Sequence, residues 1–326
     1  MTVRTALRRG RRWIARNLRR GRLEARSPRF GELFSAGARI ERVVGGLRFA
    51  EGPVWIAEQS CLFVSDIPAD RILRIGPGGE VRVHRAPSGG SNGLTRDAAG
   101  RLIACEHRTR SVTRENADGS LTVLADVFEG RRLNSPNDVV VKRDGAIYFT
   151  DPTAGIDPAL AEQPVQGVYR IGPDAGTLTR LVDDFTTPNG LAFSPDEDWL
   201  FVDDSAPERH HVRRFRVSGD GSLDEGAVFA SMPVGAPGPP DGMKVDRGGR
   251  VFCTGPGGVW VFAPDGEHLG TIRTPEPAAN CAWGEDGRTL FIAARSSVYR
   301  LRGLTPGGAL PATSLGPGEP GAPEAR

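Results

Sequence analysis

The chain has 326 residues, of which 38% are apolar, with 43 glycines and 26 prolines. That mix suits a core of many short strands joined by tight turns, and no apolar run approaches the ~18 residues that would cross a membrane. The net charge of +2 conceals two unlike parts: residues 1–30 hold eleven arginines and one glutamate, and the remainder holds 31 basic and 39 acidic residues. The body is therefore mildly acidic, which argues against a nucleic-acid partner.

The basic leader, residues 1–33, comes first. Its arginine pairs (Arg8-Arg9, Arg11-Arg12, Arg19-Arg20) are not followed by the ~7–15 apolar residues of an export signal, so a cytoplasmic protein is expected. A disordered or partly helical arm is expected there. An amphipathic helix with Leu7, Trp13, Ile14 and Leu18 on one side would give it weak contact with an anionic membrane surface.

From residue 34 to 302 the chain repeats. Six segments each begin with a small polar or acidic residue, run into a strand, turn, and enter a second β-rich strand. They start at Glu51, Asn92, Asn137, Asn189, Asp241 and Asn280, and lead to runs such as Leu62-Phe63-Val64, Ile147-Tyr148-Phe149 and Leu290-Phe291-Ile292. Asp144-Gly145 and Asp286-Gly287 read as two-residue hairpin turns. A period of roughly 40–50 residues fits four-stranded blades, and no long helical pattern intervenes. The predicted fold is all-β, a six-bladed β-propeller around a central channel; a pair of β-sandwiches would leave the recurrence unexplained. The Pro/Gly-rich tail, residues 303–326, is expected to be disordered.

In a propeller the residue entering each innermost strand points toward the axis, so equivalent positions converge. Glu51, Asn137, Asn189 and Asp241 share that position and supply two carboxylates and two amide carbonyls. An oxygen-only set with charge −2 matches one hard divalent ion, Ca²⁺ foremost or Mg²⁺. Zn²⁺ and Mn²⁺ stay open, although no Cys or His contributes. Asn92 and Asn280 read as turn residues or lesser lining groups. Glu106 and His107 end a strand at a loop and, with Asn92, are candidates for binding substrate hydroxyls. Asp151, Asp203 and Asp204 end inner strands and are expected in supporting roles; Trp55 and Met243 are expected to pack beneath the ligands. His210 and His211 are adjacent and point opposite ways on a strand, which disfavours a joint metal site. Cys61, Cys105, Cys253 and Cys281 show no zinc spacing and read as buried small apolar residues. No Gly-x-Ser-x-Gly elbow and no phosphate-cradling loop is present.

The most specific runs are Glu51-Gly52-Pro53-Val54-Trp55, Leu133-Asn134-Ser135-Pro136-Asn137-Asp138, Tyr148-Phe149-Thr150-Asp151-Pro152, Pro188-Asn189-Gly190-Leu191 and Pro240-Asp241-Gly242-Met243. Together they resemble the gluconolactonase, senescence marker protein (regucalcin) and luciferin-regenerating enzyme family over residues 34–302. The resemblance implies a metal at the channel mouth held by Glu51, Asn189 and Asp241. It implies that Asn137 contacts metal, substrate or both, and that Asp241 donates and accepts the proton. It also implies a metal-dependent lactonase, a carboxylic ester hydrolase whose partner is a small lactone. An organophosphate or aryl-ester hydrolase and a non-enzymatic ligand-binding propeller are the alternatives. Strictosidine-synthase-like propellers do not use this quartet. Two departures fall where substrate is read: Ser135 replaces an arginine of the regucalcin branch, and Thr153-Ala154 follows Pro152 where bacterial relatives often carry Pro-Tyr.

Overall fold

The computed structural model describes residues 21–305, 307 and 308. Six antiparallel sheets stand around one axis, each with its first strand innermost. Blade I comprises Ala50–Ile56, Cys61–Asp66, Arg71–Ile75 and Val81–Arg85. Blade II comprises Ser91–Arg96, Leu102–Glu106, Ser111–Glu115 and Leu121–Ala125. Blade III comprises Val139–Val141, Ile147–Asp151, Gln166–Ile171 and Leu178–Phe185. Blade IV comprises Pro188–Phe193, Trp199–Asp204, His211–Arg216 and Ala227–Ser231. Blade V comprises Met243–Val245, Val251–Gly255, Gly258–Phe262 and His268–Arg273. Blade VI comprises Asn280–Gly284, Thr289–Ala294 and Ser297–Arg302.

The second strands are apolar on both faces because each blade is packed between two neighbours. Phe149, Val202, Phe252 and Ile292 are all almost fully buried, which is why these strands read as continuous apolar runs and not as alternations. The turns at Asp144 and Asp286 are longer than two residues. Lys142 N–H donates to the Ala146 carbonyl, Gly145 takes φ +94°, and the Asp144 carboxylate accepts from Ala146 N–H at 2.9 Å. That side-chain bond supports a type I turn ending in left-handed glycine, which reverses the chain with one more residue than a primed turn. All four cysteines are buried with free thiols. No described helix is long and apolar enough to cross a membrane.

The ring is closed by the N-terminal chain. Strand Ile40–Gly45 is the outermost strand of blade VI, in register Ile40↔Leu301 to Gly45↔Ser297. The ordered fold also reaches back past the boundary expected at residue 34. Arg22–Ala25 adds a fifth strand to blade V, paired from Arg22↔Arg273 to Ala25↔Gly270. Both oxygens of Glu24 accept from Arg273 at 3.0 Å, which holds that carboxyl down to about 2. Phe30 and Leu33 then sink into the core between blades V and VI. The arginine-rich composition hid these few apolar anchors. Leu7, Trp13, Ile14 and Leu18 lie outside the described residues. Past residue 302, Leu304 is buried against Phe34, and Gly308 forms a bridge with Asp246.

Phe30→Ala is expected to cost about 3–5 kcal/mol in denaturant unfolding, and a chain beginning at residue 34 should melt well below one beginning at residue 21. Equal midpoints would show that this segment only decorates the propeller.

Candidate active site

The six entry residues meet because the inner strands approach one another at van der Waals limits. A Cβ on Gly52 would lie 1.9 Å from the Asn92 carbonyl oxygen, and one on Gly242 would lie 1.9 Å from Asn280 Cγ. Only glycine leaves room for that approach. The same relation carries Asn92-Gly93 onto Asn137 and Asn189-Gly190 onto Asp241. Between blades III and IV a hydroxyl takes over, with Thr150 Oγ1 donating to the Asn189 carbonyl at 2.6 Å. Asn280 closes the circle, its Nδ2 donating to Glu51 Oε2 at 3.0 Å.

Three of the four expected metal ligands are delivered by a repeated clamp. The carboxylate ending the second strand accepts two backbone N–H groups from the loop that feeds the inner strand. Asp66 takes Arg48 and Phe49 ahead of Glu51. Asp151 takes Asn134 and Ser135 ahead of Asn137. Asp204 takes Thr186 and Thr187 ahead of Asn189. The residue before each clamp bonds sideways in blades I and III through Ser65 and Thr150. In blade IV that place is Asp203, whose Oδ1 is buried without a partner.

Glu51, Asp138, Asp203 and Asp241 thus form a carboxylate cluster. Burial pushes Glu51 up to about 7, with the Asp138 charge adding to it. Burial raises Asp138 and lifts Asp203 well above the usual range. Asp241, half-buried, is likewise raised well above that range, by desolvation first and then by the charges of Glu51, Asp203 and Asp138, while the Asn189 amide beside it pulls the other way. Lys244 is the cation whose field reaches Glu51 and Asp138, and one ammonium does not balance four carboxylates.

Among the described residues no group of three His, Cys, Asp or Glu side chains is arranged to grip an ion, so a cation site here depends on amide oxygens as well. The donor chemistry fits a hard ion. Glu51 Oε1, Asn92 Oδ1 and Asp203 Oδ1 are buried oxygens with no hydrogen-bond donor, and buried acceptors of that kind need a partner. Asn189 is oriented by donating from Nδ2 to Ser205 Oγ at 2.9 Å, and Ser205 in turn donates to the Pro240 carbonyl at 2.6 Å. Asn137 is fixed through its backbone, between Thr150 and Gly93.

The rim departs from expectation in one place. Asn92 Nδ2 donates to His107 Nε2 at 3.1 Å, and burial drives His107 down to about 4, so the imidazole is neutral near pH 7. Glu106, expected to contact substrate, instead has both oxygens engaged: Arg85 at 2.8 Å and Thr113 at 2.6 Å on Oε1, and Thr109 at 2.7 Å on Oε2. Period-two alternation turns it away from its neighbour His107. Ser135 is fully buried under Gly155, as is most of His107. Trp55 stacks on Phe291 and, with Trp283, lines a cavity of about 500 Å³ along the far half of the inner strands. Met243 is wholly buried. His210 and His211 sit at the start of the third strand of blade IV, away from the channel.

Asp138 and Asn280 are the residues that sequence reasoning undervalued. Asp138 follows a ligand position directly, and Asn280 carries no glycine after it. Asn280 Nδ2 also donates to Asp138 Oδ2 at 3.3 Å, so one amide spans blades VI, I and III across the axis.

Glu51→Gln removes one charge from this cluster. Because its folded value lies above the unfolded carboxyl value of ~4, ionised Glu51 destabilises the metal-free fold, fully above about pH 7 and not at all below ~4. In chelator at pH 7.5 the variant should therefore melt at least about 2 °C higher than the parent, and the gain should fade as pH approaches 4.5. A variant that melts lower at pH 7.5 would contradict this charge balance.

The SMP-30/Gluconolactonase/LRE-like region model matches residues 49–296. The gluconolactonase of Zymomonas mobilis is 33% identical over 310 residues, covering 87% of each chain. The solved structure of a gluconolactonase from Xanthomonas campestris superposes with a TM-score of 0.80 at 38% identity, covering 86% of this chain and 94% of the other. Regucalcin from Agrobacterium tumefaciens, described as a calcium-binding protein, gives a TM-score of 0.70 at 20% identity, covering 86% and 98%. At that identity it attests the propeller alone.

Proposed function

The chain belongs to the SMP-30/gluconolactonase/LRE-like family, and we propose that it is a divalent-metal-dependent lactonase opening a sugar lactone at the channel mouth. The observation that carries this reading is the ring of entry residues, in which buried Glu51 and half-buried Asp241 share one acidic cluster and Asn189 is oriented by Ser205. The gluconolactonase relatives support the substrate class. Glu51, Asn137, Asn189 and Asp241 would hold the ion, Ca²⁺ foremost because every donor is a hard oxygen, with Mg²⁺, Mn²⁺ and Zn²⁺ to be separated by reconstitution. When bound, the ion supplies Lewis acidity to the lactone carbonyl and neutralises charge that develops on its oxygen.

Asp241 performs the proton transfer. It accepts a proton from the attacking water, and returns it to the ring oxygen as the acyl C–O bond breaks, so that lactone plus water gives the hydroxy acid. A carboxylate that also ligates a cation is a weakened base. Here the neighbouring charges of Glu51, Asp203 and Asp138 raise the proton affinity of Asp241, which offsets that loss. Neutral His107 and Asn92, bonded to each other, present a polar edge for sugar hydroxyls. The four buried free thiols are compatible with the reducing cytoplasm.

Acid release from gluconolactone should vanish in chelator and return with one restored metal. Asp241→Asn should lower kcat by about 10²–10⁴ while the protein stays folded. Activity that survives chelation or this substitution would reject the reading. A folded, metal-binding protein inactive on a broad lactone and aryl-ester panel would instead mark a ligand-binding propeller.

A further inference from the structure

We infer that Asn280 is a positioning residue that decides which oxygen of Glu51 faces the ion; this rests on the metal reading above. The amide of Asn280 is almost entirely buried. Its Oδ1 accepts from Cys281 N–H at 2.8 Å, and that bond fixes which way the amide is turned. Nδ2 is thereby aimed at two carboxylates, Glu51 Oε2 at 3.0 Å and Asp138 Oδ2 at 3.3 Å. The opposite orientation would set a carbonyl oxygen against both acids, so the electrostatics and the Cys281 bond agree. Sterics hold the group as well, since the glycine at 242 packs where any Cβ would strike Asn280 Cγ.

The consequence falls on the carboxylates. Glu51 Oε2 already accepts from Gly52 N–H at 2.6 Å, and with Asn280 it is committed twice. Oε1 is left buried and without a partner. Each oxygen of Asp138 also has a donor, Oδ1 accepting from Val139 N–H at 2.9 Å and Oδ2 from Asn280. Asn280 therefore commits Glu51 to bind through Oε1 and holds Asp138 in place as a fixed negative charge beside it. It touches neither substrate nor reacting atoms and acts through Glu51. Outer partners of this kind tune metal affinity by orienting the ligand in advance.

The test is Ca²⁺ titration by calorimetry into the chelator-stripped full chain, comparing the parent with Asn280→Ala. Affinity should fall about 10–100-fold. The melting point in chelator should fall by a few degrees, because two buried carboxylates lose a donor, and the Ca²⁺-induced rise in melting point should shrink as well. A purely structural residue would lower both melting points together and leave the dissociation constant alone. Should the alanine variant fail to fold, Asn280→Leu, which is close in shape and carries no donor, is read the same way. Affinity within about twofold of the parent in a folded variant overturns the assignment of Asn280 while leaving the lactonase reading intact. A parent chain that binds no divalent ion overturns both.

Discussion

The site depends on how closely six inner strands are brought together. At the entry of four of them a glycine stands where the backbone or side chain of the next blade's entry residue passes. A side chain at Gly52 or Gly242 would push two blades apart, and with them the groups that must converge on one axis. Ridge-like packing of large apolar side chains between blades sets the ring's diameter, and the glycines set the narrowness of its mouth. Carboxylate clamps at Asp66, Asp151 and Asp204 then hold the feeding loops so that the strand entries cannot drift. Fold and site share one cause: the interactions that close the ring also aim the entry residues.

That closeness carries an electrostatic cost. Crowding buried Glu51, Asp138 and Asp203 against half-buried Asp241 raises the proton affinity of each, and nearby amides and Lys244 offset only part of the repulsion. Such frustration is common where a fold prepares a site for a charge it does not itself contain. In the proposed reading a divalent ion would resolve it, and the same negative field that would attract the ion raises the proton affinity of Asp241, so binding and proton transfer would draw on one arrangement of charges.

Much of this was legible in the chain. The blades were visible because each second strand is buried on both faces and therefore uniformly apolar. Glu51, Asn137, Asn189 and Asp241 recur in one register ahead of those strands, which marked them as candidates. Glu106 was hard to read because strand alternation governs it: His107 turns to Asn92, so its neighbour turns to Arg85 and Thr113. Asn280 and Asp138 were hard to see because their importance lies in bonds across the axis between residues more than 140 positions apart. The strand Arg22–Ala25 was masked by its own charge, since its one acidic residue, Glu24, finds its partner Arg273 at the opposite end of the chain.

The most direct measurement is an anomalous difference map from crystals soaked in Ca²⁺. One peak at the channel mouth is expected, about 2.3–2.6 Å from oxygens of Glu51, Asn137, Asn189 and Asp241, with Glu51 contributing Oε1. A peak elsewhere, or a mouth that stays empty while the four side chains point away from one another, would contradict the account.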